Sequence, residues 1–135
     1  MLKNSKFHHI GYVTDDITTT KEVYLIGGYD ASETIIDHTQ RVKICFLTKD
    51  YFPTIELVEP VDESSSVNKI LKKSGVSPYH VCYEVDNIDK AFDELTEIGF
   101  IPLFRPVEAL ALNNRLICYF YKKEVGFIEL VEKKL

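Results

Sequence analysis

The sequence contains few cysteines, and none of them forms a pair at the spacing of a sulfur-based metal site. The three that occur, Cys45, Cys82 and Cys118, make an odd count, and no CxxC pattern is present. Each lies in an apolar run, which is typical of free thiols packed in a protein interior. This pattern indicates buried, unbridged cysteines and favours a reducing compartment.

Long runs of one chemical character are also absent. No cluster of Lys or Arg interrupts a chain whose net charge is −5, and Lys133 and Lys134 are interpreted as a solvated end. A nucleic-acid-binding role normally shows a basic stripe. No apolar segment is long enough to cross a bilayer, and the first residues lack the apolar core of a secretion signal. We therefore expect a cytoplasmic protein that binds neither nucleic acid nor membrane.

What the sequence does contain is an internal repeat. The segment IELVE occurs at Ile55–Glu59 and at Ile128–Glu132, 73 residues apart, and HHIGYVTDDI corresponds to YHVCYEVDNI, 71 residues further along. Self-similarity at a fixed period indicates a duplicated structural unit. The difference between the two offsets falls between the aligned segments, where a turn tolerates insertions.

Each copy of the repeat has the pattern of a βαβββ module. A short β run opens the copy, a helix with a polar cap follows, and three further β runs end it. Hydrophobic spacing is regular in the second helix, which Gly99 ends, and weaker in the first, where three threonines occur. The composition, 45% hydrophobic over 135 residues, suits one folded α+β domain.

We predict a single domain at residues 1–135, with module one at 7–59 and module two at 79–132. The connector at 60–78 contains a short helix closed by Gly75. The predicted strands are His8–Val13, Glu33–Asp37, Val42–Thr48 and Thr54–Glu59 in module one, and Tyr79–Val85, Phe100–Val107, Arg115–Lys122 and Gly126–Glu132 in module two.

Two histidines and two glutamates occupy matched positions in the repeat. His9 and His80 lie on the predicted first strands, and Glu56 and Glu129 lie on the last ones, flanked by apolar residues. A carboxylate buried in such a strand is costly unless it is paired or bound to a cation. If a pseudo-twofold axis relates the modules, the four groups meet around it. Two imidazoles and two carboxylates suit one divalent transition metal ion: Zn, Ni, Co or Mn.

Each of these residues also has a purely structural interpretation. A single histidine in a strand is more often a packed or surface residue than a ligand, and a single glutamate in a sheet usually faces water. Glu59 and Glu132 are interpreted in the second way, because they point to the face opposite Glu56 and Glu129. The matched positions of all four residues favour the metal site.

These segments resemble the vicinal oxygen chelate superfamily, which includes glyoxalase I, methylmalonyl-CoA epimerase, extradiol dioxygenases and bleomycin-resistance proteins. The resemblance covers nearly the whole chain and rests on HHIGYV, IELVEP, YHVCYEVDNI and GFIELVE. It implies two βαβββ modules in pseudo-twofold arrangement, forming a curved, partly closed mixed sheet around a metal site. The ligand pattern of the superfamily falls on His9, Glu56, His80 and Glu129.

The sequence lies between the epimerase and glyoxalase I branches. The stretch from IELVEP to the second helix is most similar to the epimerases, whereas Glu56 replaces their usual Gln and matches nickel- or cobalt-preferring glyoxalases. The second catalytic Glu of the epimerases is absent, and that neighbourhood reads Asp37-His38-Thr39-Gln40. The ending KKEVGFIEL keeps Gly126 and Glu129 of glyoxalase I without its Asp-Pro-Asp.

The resemblance implies proton transfer next to a carbonyl group, through an enolate that the metal stabilises. Glu129 is the first candidate for the base and Glu56 for its partner across the axis, with His38 or Asp37 as weaker replacements for the missing Glu. The implied substrate is a small carbonyl compound, an acyl-CoA thioester or a glutathione adduct. We therefore expect an isomerase similar to methylmalonyl-CoA epimerase.

Three other functions stay open on the same scaffold. A lactoylglutathione lyase would turn over the methylglyoxal–glutathione hemithioacetal, and a metal-free binding protein would hold a small molecule without chemistry. The complete His/Glu set argues against the binding protein, and Glu56 would block a coordination position in a ring-cleaving iron dioxygenase. We expect a homodimer, the commonest assembly, and the site could form within one chain or across that dimer.

Three polar residues at predicted strand starts are weak candidates for substrate binding. Arg41, Asn114 and Arg115 lie near the presumed open end of the fold. They could contact an anionic substrate or a phosphate, or they could be exposed charges at strand edges, which is the more common situation. The sequence alone does not separate these interpretations.

Overall fold

The computed structural model describes residues 2–134 and divides into two compact units. One unit spans His9–Tyr79, and the other combines the segment before His9 with the residues from His80 onward. The division falls within the opening strand of each predicted module. Each unit therefore contains nearly all of one module of the repeat.

The unit at His9–Tyr79 has a mixed sheet with one helix packed on it. The fifth strand pairs in parallel with the first and antiparallel with the fourth, and two short strands pair with the fourth. The connector helix follows the sheet and ends at Gly75, whose φ of 71° lies in the left-handed region, as predicted. The elements are β1 (Lys6–Val13), α1 (Ile17–Ile26), β2 (Asp30–Ala31), β3 (Ile35–Asp37), β4 (Val42–Thr48), β5 (Ile55–Pro60) and α2 (Val67–Ser74).

The unit that contains His80 repeats this organisation. Its last strand pairs in parallel with its first strand and antiparallel with the long strand before it, which also pairs with two short strands. The elements are β6 (Ser77–Val85), α3 (Ile88–Glu97), β7 (Ile101–Pro102), β8 (Val107–Ala109), β9 (Arg115–Lys122) and β10 (Gly126–Glu132). The predicted α+β class with two βαβββ modules and mixed sheets is confirmed.

Strand alternation explains why each sheet has one apolar face and one chemically reactive face. In β5, Ile55 and Leu57 enter the core beneath α1 together with Ile17, whereas Glu56 between them lies on the opposite face. In β10, Ile128 and Leu130 likewise join the core beneath α3, and Glu129 does not. Each helix therefore packs on the face of its sheet opposite the one that carries Glu56 or Glu129.

One predicted strand is wrong in its continuity. Phe100–Val107 was expected as a single strand, but only Ile101–Pro102 and Val107–Ala109 pair with β9. After Pro102 the Leu103 backbone N–H still donates to the Tyr119 carbonyl oxygen at 2.8 Å, and the pairing is then interrupted ahead of Pro106, which lacks the backbone N–H that a continuous ladder requires. In the part of the chain that the structure describes, no helix has the length and apolar character needed to span a membrane.

The interpretation of Glu59 and Glu132 as water-facing residues is also wrong. The Ile17 backbone N–H donates to Glu59 Oε1 at 2.8 Å, and the Ile88 backbone N–H donates to Glu132 Oε2 at 3.0 Å. Both donors belong to the first residue of a helix, where backbone N–H groups lack partners within the helix. Each glutamate therefore ties the last strand of its unit to a helix N-terminus, where a negative charge is favourable.

Replacing Glu59 by Ala should lower the free energy of unfolding by about 1.5 kcal/mol, because a charge-assisted hydrogen bond to a backbone N–H is lost. Urea denaturation followed by circular dichroism measures this change. Glu59 also lies 3.3 Å from the half-exposed Lys43 ammonium, so Lys43→Ala serves as the matched control. An exposed ion pair of this kind contributes little, so an equal loss in Lys43→Ala would contradict the capping role.

Candidate functional site

The first His–Glu pair lies within the unit at His9–Tyr79. His9 on β1 and Glu56 on β5 are both buried, and His9 Nε2 lies 3.5 Å from Glu56 Oε1. The parallel register places Gly11 beside Glu56, so His9, two residues earlier on β1, shares the face of that carboxylate. A glycine at this point leaves the space between strand and carboxylate free of a side chain.

The second pair lies within the other unit and has the same form. His80 on β6 and Glu129 on β10 are buried, and His80 Nε2 lies 3.0 Å from Glu129 Oε1. Here the register places Cys82 beside Glu129, at the position that Gly11 holds in the first unit. The prediction that all four residues are buried strand residues is confirmed, and each histidine lies close to the glutamate of its own module.

An aromatic ring supports each histidine from the neighbouring strand. The His9 ring meets Phe46 edge-on, with ring centroids 5.7 Å apart, and the His80 ring meets Tyr119 in the same way at 5.1 Å. Phe46 and Tyr119 occupy matched positions, opposite Glu56 and Glu129 in the register. These contacts restrict rotation of the imidazoles and hold each ring toward its carboxylate.

The chemistry of these donor sets fits a divalent transition metal. Each pair offers an imidazole nitrogen and a carboxylate oxygen from a site almost closed to solvent. Nitrogen and oxygen donors of this kind bind Zn, Ni, Co or Mn, whereas Mg and Ca prefer oxygen alone. A buried carboxylate next to a histidine is also costly to maintain in the absence of a cation or another strong partner.

The segment Asp37–Gln40, predicted to stand where the epimerases have a second catalytic Glu, leads into a turn that hydrogen bonds hold in place. Asp37 is buried at the end of β3, and its two oxygens accept hydrogen bonds from the Gln40 backbone N–H at 3.0 Å and side-chain amide at 2.8 Å. His38 is exposed. Arg41 is exposed too, and its guanidinium donates to Asp62 and Ser64. Arg41 therefore matches the interpretation as a surface charge at a strand edge.

Arg115 is not an exposed charge. Its side chain is only 9% exposed, and it donates from Nη2 to Glu84 Oε2 at 2.6 Å and from Nε to the Glu132 carbonyl oxygen at 2.7 Å. Asn114 is exposed on the turn just before it. Sequence reasoning missed Glu84, although the repeat contained a signal: Glu84 stands where the first module has the apolar Val13.

The three cysteines are buried and none is joined in a disulfide, as predicted. The Cys118 thiol donates to the Phe104 carbonyl oxygen at 2.8 Å. Burial raises the pKa of this thiol to about 12. Cys118 therefore stays protonated at neutral pH and belongs to the core rather than to the reactive face.

Comparison with known proteins identifies the family of this chain and solved structures with the same fold. A family model described as the Glyoxalase/Bleomycin resistance protein/Dioxygenase superfamily matches residues 8–119. The mitochondrial methylmalonyl-CoA epimerase of Dictyostelium discoideum is 25% identical over 134 residues, covering 95% of this chain and 78% of that protein.

Solved structures match over nearly the full length. A hypothetical protein from Bacillus halodurans C-125 superposes with a TM-score of 0.86 at 25% identity, covering 98% of this chain and 96% of that one. A Streptomyces coelicolor methylmalonyl-CoA epimerase variant, in complex with 2-nitronate-propionyl-CoA, superposes with a TM-score of 0.82 at 25% identity, covering 96% and 94%. The α+β architecture is thus that of these solved proteins.

Proposed function

We propose that this chain, which belongs to the glyoxalase/bleomycin resistance protein/dioxygenase superfamily, is a metal-dependent isomerase of the epimerase type. It moves a proton at the carbon next to the carbonyl of an acyl-CoA thioester. The observation that carries this proposal is the duplicated buried His–Glu pair, His9–Glu56 and His80–Glu129. The similarity to methylmalonyl-CoA epimerases supports the substrate class.

The proposal takes residues 1–135 as one domain in which both modules contribute ligands, and the working assembly as a homodimer in the cytoplasm. His9, Glu56, His80 and Glu129 would hold one divalent transition metal ion (Zn, Ni, Co or Mn). When bound, that ion supplies Lewis-acid polarisation of the substrate carbonyl, which makes the neighbouring C–H more acidic. The buried donor sets described above support this assignment.

The protein side of the reaction is proton transfer by carboxylates. Glu129 accepts the proton from the carbon next to the carbonyl, and Glu56, its counterpart in the other module, returns a proton to the opposite face. The Tyr119 ring edge against His80 holds that imidazole in place while Glu129 changes its protonation state. The apolar strand residues around both glutamates keep bulk water from competing for the proton.

Solvent exchange tests this proposal. The protein, supplied with Ni, Co, Zn or Mn, is incubated in D₂O with methylmalonyl-CoA and with a second branched acyl-CoA. Mass spectrometry should show one deuterium per molecule at the carbon next to the thioester carbonyl, and a sample that starts as a single epimer at that carbon should become a mixture of both epimers. No exchange with any thioester would contradict the epimerase function.

A second candidate, lactoylglutathione lyase, is favoured by one residue. Glu56 stands where the epimerases typically have Gln, so the chain has the His-Glu-His-Glu order of nickel- or cobalt-preferring glyoxalases. Turnover of the methylglyoxal–glutathione hemithioacetal, in the absence of exchange into thioesters, would decide for the lyase. Failure of both assays would leave the metal-free binding protein.

A further inference from the structure

We propose that a cleft on the unit containing His80 binds the phosphate-bearing end of a coenzyme A thioester, an inference that rests on the proposed function. The cleft has a volume of about 530 Å³ and lies where β9 begins and β10 ends. Arg115 lines it, together with the amides of Asn113 and Asn114 and the ammonium groups of Lys133 and Lys134.

The internal repeat shows which residues the fold itself requires at the positions of Arg115 and Glu84, because the first module has the same positions. Arg115 corresponds to Val42, and Glu84 corresponds to Val13, and both valines are buried in the first unit. Two apolar residues therefore fill the equivalent positions of the first module, and the fold does not require charged residues there. A largely buried ion pair is generally no more stabilising than well-packed apolar residues. The presence of Arg115 and Glu84 in only one module points to binding rather than to folding.

The Arg115 guanidinium is already fixed in position. Its bonds to Glu84 and to the Glu132 carbonyl oxygen use two of its five N–H donors, and the same side chain lines the cleft. Because its geometry is held by these partners, little conformational entropy remains to be lost on binding. A phosphate is the natural ligand for a planar donor fork of this kind.

The other groups of the cleft set its charge. Lys133 and Lys134 add two cations, and Asn113 and Asn114 are exposed on a turn where both have left-handed backbone conformations. Two acidic residues, Glu108 and Glu132, also line the cleft. The Glu132 carboxylate accepts a hydrogen bond from the Ile88 N–H of α3, whereas the exposed Glu108 carboxylate would repel an anionic ligand.

The position of the cleft selects a long substrate. Glu84, the partner of Arg115, lies on the same face of β6 as His80 and four residues further along, which corresponds to about 13 Å of strand. A ligand reaching from the His80–Glu129 pair to Arg115 therefore needs an extended arm between its carbonyl group and its anion. A coenzyme A thioester has that form, with the pantetheine arm between thioester and phosphates.

Isothermal titration calorimetry with coenzyme A and with acetyl-pantetheine, which has no phosphate, tests the cleft. Coenzyme A should bind more tightly, and Lys134→Ala should weaken it by about tenfold through loss of a charge-assisted contact. Glu108→Gln should tighten coenzyme A binding, and neither variant should change acetyl-pantetheine binding. Lys73→Ala, on the exposed face of α2 in the other unit, is the matched control.

The outcomes separate this inference from the proposed function. If thioesters undergo exchange but coenzyme A and acetyl-pantetheine bind equally, or neither Lys134→Ala nor Glu108→Gln changes coenzyme A binding, the cleft assignment is overturned while the function stands. If no thioester undergoes exchange, the function fails, and coenzyme A binding that still depends on Lys134 and Glu108 continues to support the cleft. Competition by a glutathione adduct through the same two residues would overturn the phosphate assignment.

Discussion

Purified without a metal-affinity tag, the protein is expected to carry about one divalent transition metal ion per chain, and His80→Ala is expected to lose it. The imidazole of His80 and the carboxylate of Glu129, 3.0 Å apart in a buried site, form one half of the proposed donor set. Removing a partner that merely orients a ligand costs about 10–100-fold in metal affinity, so removing the ligand itself should cost about 100-fold or more. Plasma mass spectrometry measures the metal content directly.

The repeat supplies matched variants for this experiment. His9→Ala removes the equivalent imidazole from the other pair and should give the same loss, because both histidines serve one ion in the proposal. His38→Ala removes an exposed histidine and should leave the metal content unchanged. A stoichiometry of one per chain holds whether the pairs meet within a chain or across a dimer, so the measurement does not depend on the assembly.

Stability gives an independent reading of the same site. A bound ion stabilises the folded state by an amount that grows with its free concentration, about 2.7 kcal/mol at one hundred times its dissociation constant. Adding Ni, Co, Zn or Mn should therefore raise the melting temperature of the wild type but not of His80→Ala. If the wild type contains no metal and takes up none of these ions, the metal site is refuted and the binding-protein alternative is favoured.

The parts of the structure that the sequence predicted well are those that the repeat specifies twice. The burial of Glu56 was predictable because apolar neighbours flank it in a strand, and the matched context of Glu129 repeats that signal. The helix starts were predictable as well, because Asp16 and Asn87 each accept a backbone N–H of the first turn through a short polar side chain. Residues adjacent in the sequence, present in both copies of the repeat, were sufficient to predict these features.

The features that the sequence did not predict depend on contacts between residues far apart in the chain. Glu59 receives the N–H of Ile17, 42 positions earlier, and Arg115 pairs with Glu84, 31 positions earlier. Alternation along a strand indicates on which face of the sheet a side chain lies, but it does not indicate which residue of another element contacts it there. A polar residue on a strand was therefore assigned to solvent by default, and the structure instead places it against a helix end or a half-buried carboxylate.

Glu129→Gln is expected to reduce deuterium exchange into a bound thioester by about 10²–10⁴-fold, the usual contribution of a positioned acid–base group. Gln keeps the shape of the side chain and an oxygen able to ligate, but it cannot accept the proton. The metal content of this variant is therefore the necessary control: exchange lost with metal retained identifies the base, whereas loss of both identifies only a ligand. Undiminished exchange would refute the role of Glu129.

The matched variant Glu56→Gln separates exchange from inversion. Epimerisation requires removal of a proton from one face of the carbon and return of a proton to the other face, so two groups in opposed positions are needed. If Glu129 serves one face and Glu56 the other, Glu56→Gln should still exchange the proton of one epimer but convert little of it into the other. The two pure epimers, each incubated in D₂O and analysed for both deuterium and configuration, give this comparison directly. Equal exchange and inversion from both epimers would mean that a single group serves both faces, and the duplicated glutamates would then be equal as ligands but unequal in the transfer of protons.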